Sequence, residues 1–102
     1  MFEDYFNWAF SIGKEIINSK SGKEKGKEYL KRLIYEIRSE DTPGRFLEKL
    51  SEKLTEYKTN ANIQAKVYVL QDIMKKEIWH ADKFYYLKAS ILAGFLNALS
   101  SE

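Results

Sequence analysis

The sequence predicts an all-α fold, one compact bundle of about five short helices. Three observations predict it. Apolar residues recur at i, i+3, i+4 and i+7 spacing in five successive stretches. Capping and breaking residues separate those stretches. The one β-branched run, Val67-Tyr68-Val69-Leu70, has no second strand signal to pair with. At 102 residues the chain forms a single domain over residues 1–102, with enough length for one core and not for two.

The first helix is expected over residues 2 to 18. Phe2, Tyr5, Phe6, Ala9, Ile12, Gly13, Ile16 and Ile17 share its apolar face, with Trp8 and Phe10 at the edges. Glu3 and Asp4 suit the positive end of the helix dipole. Gly13 costs about 1 kcal/mol against alanine inside a helix, so its place on the apolar face points to close packing of another element.

A loop, NSKSGKEKG, follows over residues 18 to 26. The second helix runs from about 24 to 39, with Tyr29, Leu30, Leu33, Ile34 and Ile37 as its stripe and Tyr35 pointing away. Asp41 or Thr42 then caps a third helix that starts at Pro43, where the missing N–H costs nothing. That helix extends to about Lys58, with Phe46, Leu47, Leu50, Leu54 and Tyr57 inward and a solvated face of alternating Glu and Lys outside. Asn60 or Asn62 caps a fourth helix over about 62 to 78, carrying Ile63, Val67, Leu70, Met74 and Ile78.

Asp82 is the expected cap of the last helix, which holds the least polar stretch, Phe84 to Leu99. Phe84, Leu87, Ile91, Phe95, Ala98 and Leu99 share one face. The opposite face, with Tyr85, Tyr86, Ala89, Ala93 and Leu96, is not polar either. A helix apolar nearly all round is usually enclosed by other helices. The uncharged run is too short for a membrane span, which needs about 20 apolar residues.

The chain also divides near Thr59. Leu30, Leu33, Ile34 and Ile37 align with Lys66, Val69, Leu70 and Ile73 at an offset of 36. Phe46, Leu47, Leu50 and Leu54 align with Ile91, Leu92, Phe95 and Leu99 at an offset of 45. A duplication would place two similar helical hairpins side by side, with a groove between them.

Composition excludes several chemistries. The chain has no cysteine, which removes disulfides, zinc–thiolate sites, iron–sulfur clusters and thiol catalysis. His80 is its one histidine; with no nucleophile or oxyanion site to serve, it reads as a surface or capping residue. No EF-hand spacing and no Glu-x-x-His pair occurs, so no metal and no cofactor is expected. Residues 21–26 contain two glycines and three charged residues but lack the phosphate-loop pattern and follow a helix rather than a strand. No enzymatic activity is expected.

The N-terminus MFEDYFNWAF lacks a basic leader region, so an intracellular location is expected. Net charge is +2, too balanced to imply a partner by itself. The one local imbalance is Lys20, Lys23, Lys25, Lys27, Lys31 and Arg32 against Glu24 and Glu28. That segment would give sequence-tolerant, salt-dependent nucleic-acid binding, the second of two functional expectations.

The first expectation rests on aromatic excess: fifteen Phe, Tyr and Trp residues in 102 positions. Trp8, Phe10, Tyr35, Tyr68, Trp79, Tyr85 and Tyr86 lie off or at the edges of the core stripes. Tryptophan and tyrosine anchor protein interfaces, so Trp8, Phe10, Tyr68, Trp79, Tyr85, Tyr86 and Leu96 are the expected lining of a groove for a peptide or helical partner. The exposed half of the last helix would serve equally as a homodimer face.

Length, the MFEDYFNWAF start and the FLEKLSEKLTEYK segment give the chain a resemblance to the small orphan proteins of filamentous viruses of hyperthermophilic archaea. The Lys/Glu-rich composition fits heat adaptation. The resemblance carries no motif; it implies a viral protein acting in the host cytoplasm, and it transfers no catalytic residue.

Overall fold

The computed structural model describes residues 2–19 and 22–101. They form five helices: α1 (Phe2–Ile17), α2 (Lys23–Ile37), α3 (Pro43–Leu54), α4 (Ala61–Lys76) and α5 (Ala81–Ser100). A 3₁₀ turn, Thr55–Tyr57, extends α3. There is no strand among the described residues, so Val67 to Leu70 lies in α4 as the periodicity requires.

The molecule is built on α1 and α5, which have the most extensive contact in the fold. The two helices run parallel. Gly94 lies against the Phe6 carbonyl and Ala9, Gly13 lies against Ala98, and the Lys14 ammonium donates to Ser101 Oγ at 3.2 Å. The seam is close because its residues are small. A methyl group on Gly94 would strike the Phe6 carbonyl oxygen and stand 2.7 Å from Ala9 Cβ; one on Gly13 would stand 2.6 Å from Ala98 Cβ. The close approach expected at Gly13 is therefore real, and Gly94 answers the same pair of helices.

Around this seam Ile12, Ile16, Phe84, Leu87, Ile91 and Phe95 are fully enclosed. Burying a side chain of this kind stabilises by about 1.5–3 kcal/mol. α2 runs antiparallel to α5: Lys31 and Ile34 flank Leu96 and Leu99, and Lys88 reaches the carbonyl of Glu40 just beyond the end of α2, at 2.7 Å. α3 meets α5 through an edge-to-face pair, Phe46 and Phe84, with centroids 5.6 Å apart. α4 packs on α1 and α3. The Trp8 indole donates to the Lys66 carbonyl at 2.7 Å, and Gln64 donates to the carbonyls of Leu54 and Tyr57.

The local signals hold at two starts. Thr42 accepts from the Arg45 amide at the head of α3, where Pro43 stands first. Asn60 accepts from the Ile63 amide at 3.1 Å at the head of α4.

They fail at three other points. α5 begins before Asp82: His80 occupies the capping position without a side-chain bond, and Asp82 falls in the first turn. There it still complements the helix dipole. α4 ends at Lys76, so Ile78 leaves the helical register and stands 81 % exposed instead of joining the stripe. Finally, the two halves of the chain pack differently. α2 and α3 rest on each other, whereas α4 and α5 each pack more closely on α1 than on one another.

Candidate functional site

Counting 100° per residue along α5, its buried positions cover one side: Phe84, Leu87, Ile91, Gly94, Phe95 and Ala98 are enclosed. The other side is centred on Ala89 and Leu96. It carries Tyr85 and Tyr86, each 55 % exposed, and Leu96, 53 % exposed, with Leu92 and Ala93 half-buried along its margins. No helix covers it. From Ala89 to Ser101 this face holds no charged residue.

α2 lengthens the face along one edge. Leu96 and Leu99 form one shallow hollow with Lys31, Ile34, Tyr35 and Arg38. Tyr35 is 65 % exposed, and the Arg38 guanidinium lies 4.6 Å from its ring centroid. This arrangement holds the phenol at the rim by cation–π attraction. At the other edge, Phe6 and Phe10 stack with centroids 6.4 Å apart, and the Lys14 ammonium lies over the Phe10 ring. An exposed apolar strip about 18 Å long follows from the twelve residues Tyr85 to Leu96.

The seven residues expected to line one groove do not come together. Trp8 is half-buried against the core, tilted on Phe95, with its N–H spent on the Lys66 carbonyl. Trp79 is likewise packed on the core, its N–H donated to the Met74 carbonyl at 3.1 Å and its ring covered by the Lys83 ammonium. Lys83 is in turn paired with Glu77. These two indoles fasten elements to each other. Phe10 lies at the α1 edge of the open face. Tyr68, 72 % exposed beside half-exposed Val69, stands alone on α4. α4 packs on the α1 side that Trp8 faces, away from the open side of α5. Tyr85, Tyr86 and Leu96 are the three that share a surface. Tyr35, Leu92 and Leu99 were not among the expected binding residues. Leu92 and Leu96 are one turn apart, a signal that was present in the spacing.

The basic segment is also dispersed. Lys20 lies outside the described residues. Lys23, Lys25, Lys31 and Arg32 are exposed and Lys27 is half-buried. By helical angle Lys23, Lys27 and Lys31 follow one side of α2, while Lys25 and Arg32 lie on another, with Glu24 and Glu28 between them. Glu24, Lys25, Glu28 and Arg32 line one hollow together. Acid is interleaved with base throughout.

The most polar hollow lies at the other end of the molecule, lined by Glu15, Ser19, Glu56, Tyr57, Thr59 and Asn60. Glu15 accepts from the Asn62 amide at 2.9 Å, and burial raises the Tyr57 phenol above its ordinary value. His80 is exposed beyond the far end of α4, about 24 Å of helix away. The histidine and these carboxylates therefore cannot act on one substrate. Among the described residues no three His, Cys, Asp or Glu side chains converge to hold a metal. No helix among them is long and apolar enough to cross a membrane.

No protein-family model, curated protein or solved structure matches the chain.

Proposed function

We propose that this is a non-enzymatic protein–protein interaction module, acting inside the cell, whose binding surface is the open side of α5. One observation carries this reading. An uncharged surface with Tyr85, Tyr86 and Leu96 half-exposed runs along the longest helix beyond Asp82, and no other helix covers it. A monomer leaves a contiguous apolar patch of this kind exposed mainly where another molecule docks. Tyrosine and leucine on a rigid helix supply contact area with little entropy to lose, and a partner helix fits such a face by its own i, i+3, i+4 side chains. This surface replaces the wider aromatic groove, because Trp8 and Trp79 are occupied in holding α1 to α4 and the α4–α5 connection in place.

The nucleic-acid reading has less support, since Glu24 and Glu28 divide the basic residues of α2. Counterion release needs several cations presented together to phosphates.

Site-specific photocrosslinking in cells tests the proposal. A photoreactive residue replacing Leu96 should give crosslinks to protein, while the same residue at Tyr68, more exposed still on α4, should give few. Equal yields at both positions, or none at Leu96, would overturn it.

A further inference from the structure

We infer that the partner taken by this surface is an acidic amphipathic helix, seated in the groove between α5 and α2 with its carboxylates along the α2 edge. This rests on the face being a binding surface and adds the chemistry of what binds there.

The groove has an apolar floor and a cationic wall. Ile34, Tyr35, Leu96 and Leu99 form one shallow hollow of about 220 Å³ with Lys31 and Arg38. Both cations are exposed, and neither makes an ion pair among the described residues. Arg38 lies over the Tyr35 ring, a contact that leaves its charge in place. Lys27 continues the basic line one turn before Lys31.

The acids around the face do not offset these two. Asp41 lies 3.7 Å from Lys88, Glu40 pairs with Arg45 at 3.5 Å, and Glu77 pairs with Lys83. Glu24 and Glu28 line a different hollow, with Lys25 and Arg32. Asp82 is exposed in the first turn of α5, about 21 Å of helix from Leu96. Lys14, on the opposite edge against Ser101 and the Phe10 ring, is itself basic. The α2 edge beside Leu96 and Leu99 is therefore left with an excess of positive charge.

Whatever covers Leu96 and Leu99 also strips water from Lys31 and Arg38. Enclosing a cation without a counter-charge is costly, and the cost is offset when the partner brings a carboxylate within hydrogen-bond reach. Arg38 cannot swing clear without giving up its contact with Tyr35. A partner whose matching edge is basic is selected against, so the two cations set which partner binds and in which orientation.

The spacing of the cations favours a helix. Lys31 and Arg38 are separated by about 10.5 Å of rise along α2. A partner helix lying along the groove matches that span with carboxylates two turns apart on one edge, while the apolar residues beside them fall on Leu96 and Leu99. An extended segment covers the same distance in about three residues, which turns the two acids to opposite sides.

Charge reversal combined with photocrosslinking in cells tests this. With the photoreactive residue at position 96, Lys31→Glu with Arg38→Glu should lower the yield of protein crosslinks at least about tenfold. Lys25→Glu with Arg32→Glu makes the same change of net charge on another side of α2 and should leave the yield within about twofold of the parent. All four side chains are exposed, so both variants should keep the parent's helical spectrum. Tandem mass spectrometry of the crosslinked peptide needs no charge variant: the partner's segment should carry at least two carboxylates along one helical edge. An equal yield from the two variants, or a crosslinked segment without acids, overturns the inference and leaves the binding surface standing. Adducts with lipid or nucleic acid in place of protein, or no crosslinks at all from position 96, overturn the inference together with the reading it rests on.

Discussion

The two sides of α5 are made of similar residues and have opposite fates. The enclosed side has Gly94 and Ala98 among Phe84, Ile91 and Phe95; the open side has Ala89 and Ala93 among Tyr85, Leu92 and Leu96. On the first, the small residues admit α1 until backbone meets side chain. On the second, equally small residues admit nothing within the chain. The difference teaches that apolarity alone does not decide burial. Burial went to the side where a neighbouring helix offered a matching small surface, Ala9 and Gly13, along a parallel path.

Substitutions can break this comparison. The largest effect is expected at Gly94→Val, which drives a branched side chain into the Phe6 carbonyl and Ala9. It should cost about 3 kcal/mol, read by urea denaturation, because the obstructing atom is backbone and has little room to move. A cost near zero would mean that the seam is looser than the geometry states.

The contact of α2 with α3 gives an intermediate scale. The Tyr29 hydroxyl donates to the Lys53 carbonyl, and the Lys53 ammonium pairs with Glu36 at 2.6 Å. Tyr29→Phe should lose about 1 kcal/mol at neutral pH. It should also alter the pH dependence. Burial raises the Tyr29 phenol, so the folded chain keeps a proton that the unfolded chain releases. Stability should therefore be level below the ordinary phenol value of about 10 and fall as pH rises above it. The Phe variant should show a shallower alkaline fall. Glu36 acts on the other limb. Its hydrogen bond from Lys53 holds its carboxyl below the ordinary range, so its contribution is present above about pH 4 and is lost as pH falls further. Glu36→Gln should flatten the acid limb and only slightly lessen Tyr29's alkaline fall, since burial outweighs the Glu36 charge in raising that phenol.

Smaller still is Thr42→Ala, which removes the side-chain cap of α3. The bond to the Arg45 amide is long, 3.4 Å, so the loss should be about 0.5 kcal/mol, the low end for such caps. The smallest effect is expected at Ala89→Leu. On the exposed side of α5 it should change unfolding free energy by no more than about 0.5 kcal/mol at low protein concentration. A loss as large as that at Gly94 would show that the open side is not open.

Much of the fold was legible because it is local. Thr42 with Pro43, and Asn60 three residues before Ile63, announce helix starts from a few adjacent residues. The stripes of Leu30, Leu33 and Ile37, or of Ile63, Val67, Leu70 and Met74, need no knowledge of their neighbours. Ile78 was misplaced because nothing such as Gly or Pro announces the end of α4 at Lys76. Asp82 was misplaced as a cap because His80 begins α5 with its backbone alone. The site was less legible. Trp8 and Trp79 look like surface anchors in sequence, and each is spent on a carbonyl, one of them 58 residues away. Tyr35 joins Leu96 only through the antiparallel path of α2. Which side of α5 is left open depends on where α1 lies, and no single helix records that.

Photocrosslinking from successive positions along the chain tests the central claim most directly, since it reports binding residue by residue. Crosslinks to protein are expected from the open side of α5, at Tyr85, Ala89 and Leu96, and from Tyr35 on α2, with few from Tyr68 and Val69 on α4. Crosslinks confined to α4 or to the basic residues of α2, or none from the open side of α5, would contradict the account.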